Sequence, residues 1–97
     1  MGDTIHRGSG NVFADLGFNQ EEAANLLMRA RLMSHLIDYV DAQGLTQQEA
    51  AERLGVHQPR VSALMRGKID QFSLDMLVSM LARVGLEVVV KVRPKAA

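Results

Sequence analysis

Residues 45–68 have the sequence LTQQEAAERLGVHQPRVSALMRGK, in which a glycine turn separates two short helical segments. Thr46 and Glu49 have the spacing of a capping box, which predicts the start of the first segment. Gly55 permits the left-handed conformation that a tight turn requires. Pro59 is tolerated in the first turn of the second segment, where backbone N–H groups have no partner within the helix. Two short helices joined in this way are typical of a helix-turn-helix.

The second predicted helix has one apolar side and one side of small or amide-bearing residues. Val61 and Leu64 are expected to pack this helix onto the rest of the domain. The opposite side then carries Gln58, Pro59, Ser62, Ala63 and Arg66, with Arg60 beside them. Side chains of this size allow a helix to enter the major groove of DNA.

The charge of the chain is balanced overall but not locally. Eleven Lys and Arg residues offset eleven Asp and Glu residues, which argues against a general polyanion binder. From Gln58 to Lys68, however, there are three cations and no acid. We therefore expect any contact with nucleic acid to come from this local cluster.

The pattern from Leu45 to Lys68 resembles the Cro/Xre family of phage-repressor-like helix-turn-helix proteins, and the resemblance extends over residues 21–84. It implies a mainly α fold, a λ-repressor-like domain of four or five helices that binds double-stranded DNA through its recognition helix.

The resemblance also implies roles for individual positions. In this family a Gln at the start of the recognition helix contacts a base edge, which implies that role for Gln58. The other base-contacting positions would be Pro59, Ser62 and Ala63, and the phosphate-contacting positions would be Gln47, Arg60, Arg66 and Lys68. His57 precedes the recognition helix, where it is a candidate for capping or for phosphate contact. Pro59 offers only apolar contact, so we expect DNA shape to contribute to specificity.

Further helices are predicted on both sides of the motif. Asn19, with Glu22 at the capping-box spacing, predicts the start of a long helix that ends at Gly44. Ser73 predicts the start of a helix from Leu74 to Val84. We interpret residues 1–18 as an N-terminal tail and short packing segment with residues 1–10 mobile, residues 19–85 as the DNA-binding domain and residues 86–97 as a C-terminal strand.

Apolar residues alternate with polar ones near the C-terminus, which predicts the β-strand. The apolar positions are Leu86, Val88, Val90 and Val92. A lone strand leaves its backbone groups unpaired, unless residues 11–14 are extended and pair with it. The simplest partner is the same strand of a second copy, so we expect a homodimer with these four residues at its interface.

The long helix carries two apolar stripes. The first is formed by Ala23, Leu26, Ala30, Met33, Ile37 and Val40, and the second includes Met28, Leu32 and Leu36. Two interpretations remain open: either the domain wraps this helix on two sides, or the second stripe contacts another subunit or a partner protein. The stretches NVFADLGF at residues 11–18 and FSLDMLVSMLARVG at residues 72–85 are similar to those of HigA-like antitoxins. That similarity implies a RelE/HigB-like toxin as an alternative partner.

Other classes of function lack the residues that they need. The chain has no Cys, and His6, His35 and His57 have no metal-ligand spacing, so we expect no metal and no cofactor. No nucleophile–base arrangement or phosphate-binding glycine loop is present, which argues against an enzyme. Aromatic residues are too few for stacking on RNA bases. No apolar run is long enough for a membrane span and no secretory signal is visible, so we expect a cytoplasmic protein.

The sequence therefore predicts a sequence-specific DNA-binding transcriptional regulator, a repressor that binds an inverted-repeat operator as a homodimer. The alternative is an antitoxin that neutralises its toxin by direct protein contact and also regulates its own operon.

Overall fold

Five α-helices and one short 3₁₀-helix follow each other along residues 10–95, the part of the chain that the computed structural model describes. The α-helices are α1 (Val12–Asp15), α2 (Gln20–Gln43), α3 (Gln47–Leu54), α4 (Gln58–Met65) and α5 (Leu74–Arg83). The 3₁₀-helix, Ile69–Gln71, lies between α4 and α5. The predicted mainly α fold with a helix-turn-helix is confirmed. The expectation of a mobile tail at residues 1–10 lies, apart from Gly10, outside the described residues.

Side chains cap the helices that flank the motif. The Oδ1 atom of Asn19 accepts a hydrogen bond from the Glu22 N–H at 2.8 Å, and Gly44 ends α2 with a φ of 62°. The Oγ atom of Ser73 accepts from the Met76 N–H at 3.2 Å at the start of α5. These caps satisfy backbone N–H groups that have no partner within the helix. The predicted ends of α2 are confirmed, and those of α5 agree to within one residue.

The core lies between α2, α3, α4 and α5. Its largest fully buried side chains are Phe72, Leu36, Leu54, Leu64, Leu77 and Val61. Both apolar stripes of α2 contribute to it, because Met33 and Val40 of the first stripe and Leu36 of the second are all buried. The domain therefore wraps α2 on two sides, which was one of the two open interpretations. Met28 of the second stripe stays exposed.

One amide side chain holds α1 against α2. The Oδ1 atom of Asn11 accepts hydrogen bonds from the N–H groups of Phe13 at 2.9 Å and Ala14 at 3.3 Å. Its Nδ2 atom donates to the carbonyl of Ala23 at 3.0 Å. The rings of Phe13 and Phe18 meet edge to face, with their centroids 6.2 Å apart. The short packing segment predicted after the tail therefore contains a helical turn, α1, and is fixed to the domain.

The C-terminal segment after α5 does not form the predicted strand within residues 10–95. Residues 11–14, the partner considered for it within the chain, belong to the cap and first residues of α1. Of the four apolar positions of the predicted strand, only Val88 is half-buried on the core. Val90 and Val92 are 67% and 89% exposed. A strand requires a second strand for its hydrogen bonds, and the described chain supplies none.

The described residues contain neither a membrane-spanning helix nor a cluster of metal-binding side chains. Across residues 10–95, no helix combines the length and the apolar character needed to cross a membrane. In the same range, His, Asp and Glu side chains form no group of three or more that would hold a metal ion.

Candidate nucleic-acid interface

The α3–α4 pair has the geometry of a helix-turn-helix because its inner residues are small or fully buried. Ala50 of α3 is fully buried, which lets the two helices approach closely. Val61 and Leu64 of α4 are also fully buried and fix this helix on the core. Gly55 makes the turn with a φ of 73°. A Cβ atom at Gly55 would meet the end of the Arg83 side chain, which is exposed and can move away, so it is the positive φ angle that favours glycine at this turn.

The start of α3 is fixed by a reciprocal pair of hydrogen bonds. The Glu49 carboxylate accepts from the Thr46 backbone N–H at 2.9 Å, and the Thr46 hydroxyl accepts from the Glu49 N–H at 3.1 Å. The bond from the Thr46 backbone is the main reason that the pKa of Glu49 lies below its ordinary value. The Thr46 side chain and the positive charge of Arg53 lower this pKa further. Glu49 is therefore a structural carboxylate, ionised at neutral pH.

The side of α4 that faces away from the core carries most of the predicted base-contacting residues. Gln58 and Pro59 are exposed, and Ser62 is half-exposed. Ala63 was expected beside them, but it is only 6% exposed and belongs to the core. The Ala63 methyl group therefore does not lie on the outward side of α4, where the sequence pattern predicts it.

Most of the predicted phosphate-contacting residues are exposed. Gln47 stands at the first position of α3, and Arg66 and Lys68 follow the end of α4; all three are exposed. His57 is exposed directly before α4, and its side chain makes no capping hydrogen bond to that helix in the described structure. The arrangement leaves these donors accessible to an anion.

Arg60 differs from the other predicted phosphate-contacting residues because it is engaged within the domain. It is half-buried, and its Nη1 atom donates to the carbonyl of Gln71 at 2.7 Å. Its guanidinium carbon lies 5.7 Å from the centroid of the Phe72 ring. A guanidinium group has five N–H donors, so this contact occupies only part of its capacity.

Two features near the interface were missed in the sequence. The 3₁₀-helix Ile69–Gln71 has no capping signal of its own, and the side chain of Lys68 before it makes no capping hydrogen bond to it in the described part of the chain. Arg29 of α2 binds this segment through backbone carbonyls that lie about forty residues later in the chain. The i, i+4 spacing of Asn25 and Arg29 predicts their mutual contact, but no local pattern predicts the second one.

Comparison with known proteins agrees with this geometry. The chain matches the sequence model of a helix-turn-helix domain family over residues 12–93. A solved chain assigned by its name to the XRE family of transcriptional regulators shares 35% sequence identity with it. The superposition has a TM-score of 0.71 and covers 76% of this chain and 83% of that chain. No curated protein matches the sequence.

Proposed function

The chain belongs to the Cro/Xre family of helix-turn-helix transcriptional regulators, and from that membership we propose that it recognises a specific operator in double-stranded DNA through α4. The observation that carries the proposal is the division of α4 into two sides. Val61 and Leu64 are buried, whereas Gln58 and Ser62 point away from the core beside exposed cations. A helix held in this way can place polar side chains in a major groove.

The base contacts proposed for α4 follow from the chemistry of its outward side chains. The amide of Gln58 matches the N6 and N7 atoms of adenine, which present one donor and one acceptor. Ser62 can donate to or accept from a base edge, and Pro59 offers apolar contact to a thymine methyl group. Three such residues give limited direct readout, so sequence-dependent DNA shape contributes to the preference.

Phosphate contacts are proposed for four exposed donors of the motif. Arg66 and Lys68 lie beyond the end of α4, Gln47 opens α3, and His57 precedes α4. Such contacts fix the register of the protein on the duplex without carrying sequence information. Because the net charge of the chain is zero, binding to DNA without the preferred sequence is expected to be weak at physiological salt.

We further propose that the protein acts as a homodimer through its C-terminal segment. Val90 and Val92 are apolar and exposed in the single chain, and Leu86 is 39% exposed. An antiparallel pair of these segments across a two-fold axis would satisfy their backbone groups and cover their side chains. The dimer would present two recognition helices to half-sites about 34–36 Å apart. Seated over a promoter, it would exclude the polymerase and repress transcription.

Selection of bound duplexes from a random-sequence pool tests this function. We expect enrichment of an inverted repeat whose half-sites are separated by about one helical turn of DNA. A pool that stays unenriched after repeated selection would contradict sequence-specific recognition. Enrichment of a single half-site without a repeat would support recognition by α4 and contradict the dimer.

An antitoxin role is the second candidate, and an exposed apolar surface on the N-terminal segment favours it. Val12, Leu16 and Phe18 are 49%, 70% and 44% exposed, and large exposed apolar side chains that lie close together mark contact sites for other proteins. A RelE/HigB-like toxin encoded by an adjacent gene would be the partner. Leu16→Ser should abolish co-purification of that gene product and leave DNA binding intact, since Leu16 lies outside the motif.

A further inference from the structure

Arginines from two different helices bind three backbone carbonyls between α4 and α5. The Nη1 atom of Arg60, in α4, donates to the carbonyl of Gln71 at 2.7 Å. The Nη1 atom of Arg29, in α2, donates to the carbonyls of Ile69 and Phe72, both at 3.2 Å. This segment of the chain therefore connects the recognition helix to the longest helix of the domain.

Each arginine is fixed by a second contact. The guanidinium group of Arg60 lies over the ring of Phe72, within the range of a cation–π interaction, and that ring is only 2% exposed. The Nε atom of Arg29 donates to the Oδ1 atom of Asn25 at 2.7 Å. Hydrogen bonds from a charged donor are stronger than neutral ones, so these contacts resist displacement.

The position of Arg60 on α4 agrees with an internal role. Residues three and four apart lie on the same side of an α-helix. Ala63 and Leu64, which follow Arg60 at these spacings, are both buried. The outward side of the helix is a separate stripe at four-residue spacing, formed by Gln58, Ser62 and Arg66.

We propose that Arg60 is a positioning residue, which sets the orientation of α4 by binding residues 71 and 72, and that it does not contact phosphate. The inference rests on the proposed function, because orientation matters through the base contacts of Gln58 and Ser62. Without Arg60, Val61 and Leu64 still hold α4 on the core, but its polar attachment to the segment before α5 is lost. Sequence discrimination then decreases, whereas the number of phosphate contacts stays the same.

Arg60→Met, with Arg66→Met as its matched control, separates positioning from phosphate contact. Methionine keeps an unbranched apolar stem and removes the charge. Each protein is titrated, over a salt series, with the duplex that the wild-type chain selects and with an unrelated duplex. For Arg60→Met we expect the affinity ratio between the two duplexes to fall about tenfold, the size of one lost base contact. Its salt slope should stay unchanged, whereas that of Arg66→Met should fall by about one unit.

Arg29→Met tests the attachment of the segment between α4 and α5 to α2. It also replaces Arg60→Met as the test if that variant does not fold. It removes the bonds to the carbonyls of Ile69 and Phe72 without changing α4, so we expect a similar loss of discrimination at an unchanged salt slope. An Arg60→Met protein whose slope falls by about one unit would overturn the inference. So would undiminished discrimination in the folded variant.

The proposed function and this inference fail in distinguishable ways. A wild-type chain that enriches no duplex overturns the proposed function, and the inference with it. Enrichment by the wild-type chain, combined with a lowered slope for Arg60→Met, overturns the inference alone.

Discussion

Thr46 and Glu49 bind each other reciprocally at the first turn of α3, the backbone N–H of each donating to the side chain of the other. These two hydrogen bonds join residues three apart and satisfy two backbone N–H groups that have no partner within the helix. Because α3 has only eight residues, its first turn is a large share of its length. The stability of α3, against which α4 packs, therefore depends on this capping pair.

Thr46→Ala should lower the free energy of unfolding by about 1 kcal/mol, the usual effect of losing a side-chain cap. Thr46→Ser keeps the hydroxyl and is the matched control. Urea unfolding followed by circular dichroism measures both. Equal stability of the alanine variant and the wild type would contradict a structural role for the cap.

Glu49 makes stability depend on pH in the acidic range. Its pKa is lowered in the folded chain, chiefly by the Thr46 backbone bond, so folding favours the ionised form. The stabilisation is present above the carboxyl's ordinary pKa and is lost as the pH falls through the lowered folded value. Glu49→Gln keeps an acceptor for the capping box but does not titrate. The wild type should therefore exceed this variant in stability at neutral pH, and the difference should vanish in acid. If the difference in the free energy of unfolding between the two proteins does not change with pH, the ionisation of Glu49 does not contribute to stability.

Gln58→Ala should weaken binding to the selected operator by about 1–3 kcal/mol and relax the preference at one base pair. The loss follows from removing a paired donor and acceptor at a base edge. Gln20→Ala, an exposed glutamine at the start of α2, serves as the control. Titration against operators that carry each base at each position measures the effect. Equal weakening on operator and unrelated DNA would refute base contact by Gln58.

Arg66→Ala combined with Lys68→Ala should weaken binding to every duplex and reduce the salt slope by about two units, because each side chain displaces counterions from one phosphate. The change in specificity should be small. Filter binding or fluorescence anisotropy over a salt series provides the slope. A salt slope equal to that of the wild type would show that neither residue contacts phosphate.

Val90→Asp combined with Val92→Asp should convert the proposed dimer into a monomer and weaken operator binding. Both positions are exposed in the single chain, so the domain itself should stay folded. Val89→Asp is the matched control, since Val89 is also exposed but would face the opposite side of an extended segment. Analytical ultracentrifugation gives the oligomeric state. A double variant that still sediments as a dimer would move the interface elsewhere on the domain.

Helix boundaries could be predicted because their causes are local. Asn19, Thr46 and Ser73 accept hydrogen bonds from N–H groups three residues later, and Gly44 and Gly55 adopt positive φ angles. Each signal lies within a few residues of the boundary that it determines. The sequence alone was therefore sufficient to place the helix-turn-helix.

The contacts of Arg60 and the burial of Ala63 required the structure. Arg60 was predicted to contact phosphate from its charge and its place in the motif, yet its contacts lie beyond the end of α4, at Gln71 and Phe72. The relevant signal was present in the spacing of Arg60 to Ala63 and Leu64, which places all three on one side of the helix. The spacing alone does not show that this side of α4 faces residues 71 and 72, because those residues lie in a different segment of the chain.

The turn at Gly55 has a consequence for how this sequence can diverge. The positive φ angle is the barrier to other residues there, because the exposed end of the Arg83 side chain beside it can move away at little cost. Asparagine tolerates a left-handed conformation better than most residues, so it lowers this barrier, whereas a β-branched residue raises it. We therefore expect Gly55→Asn to be tolerated better than Gly55→Val, and replacement of Arg83 by alanine to rescue neither variant.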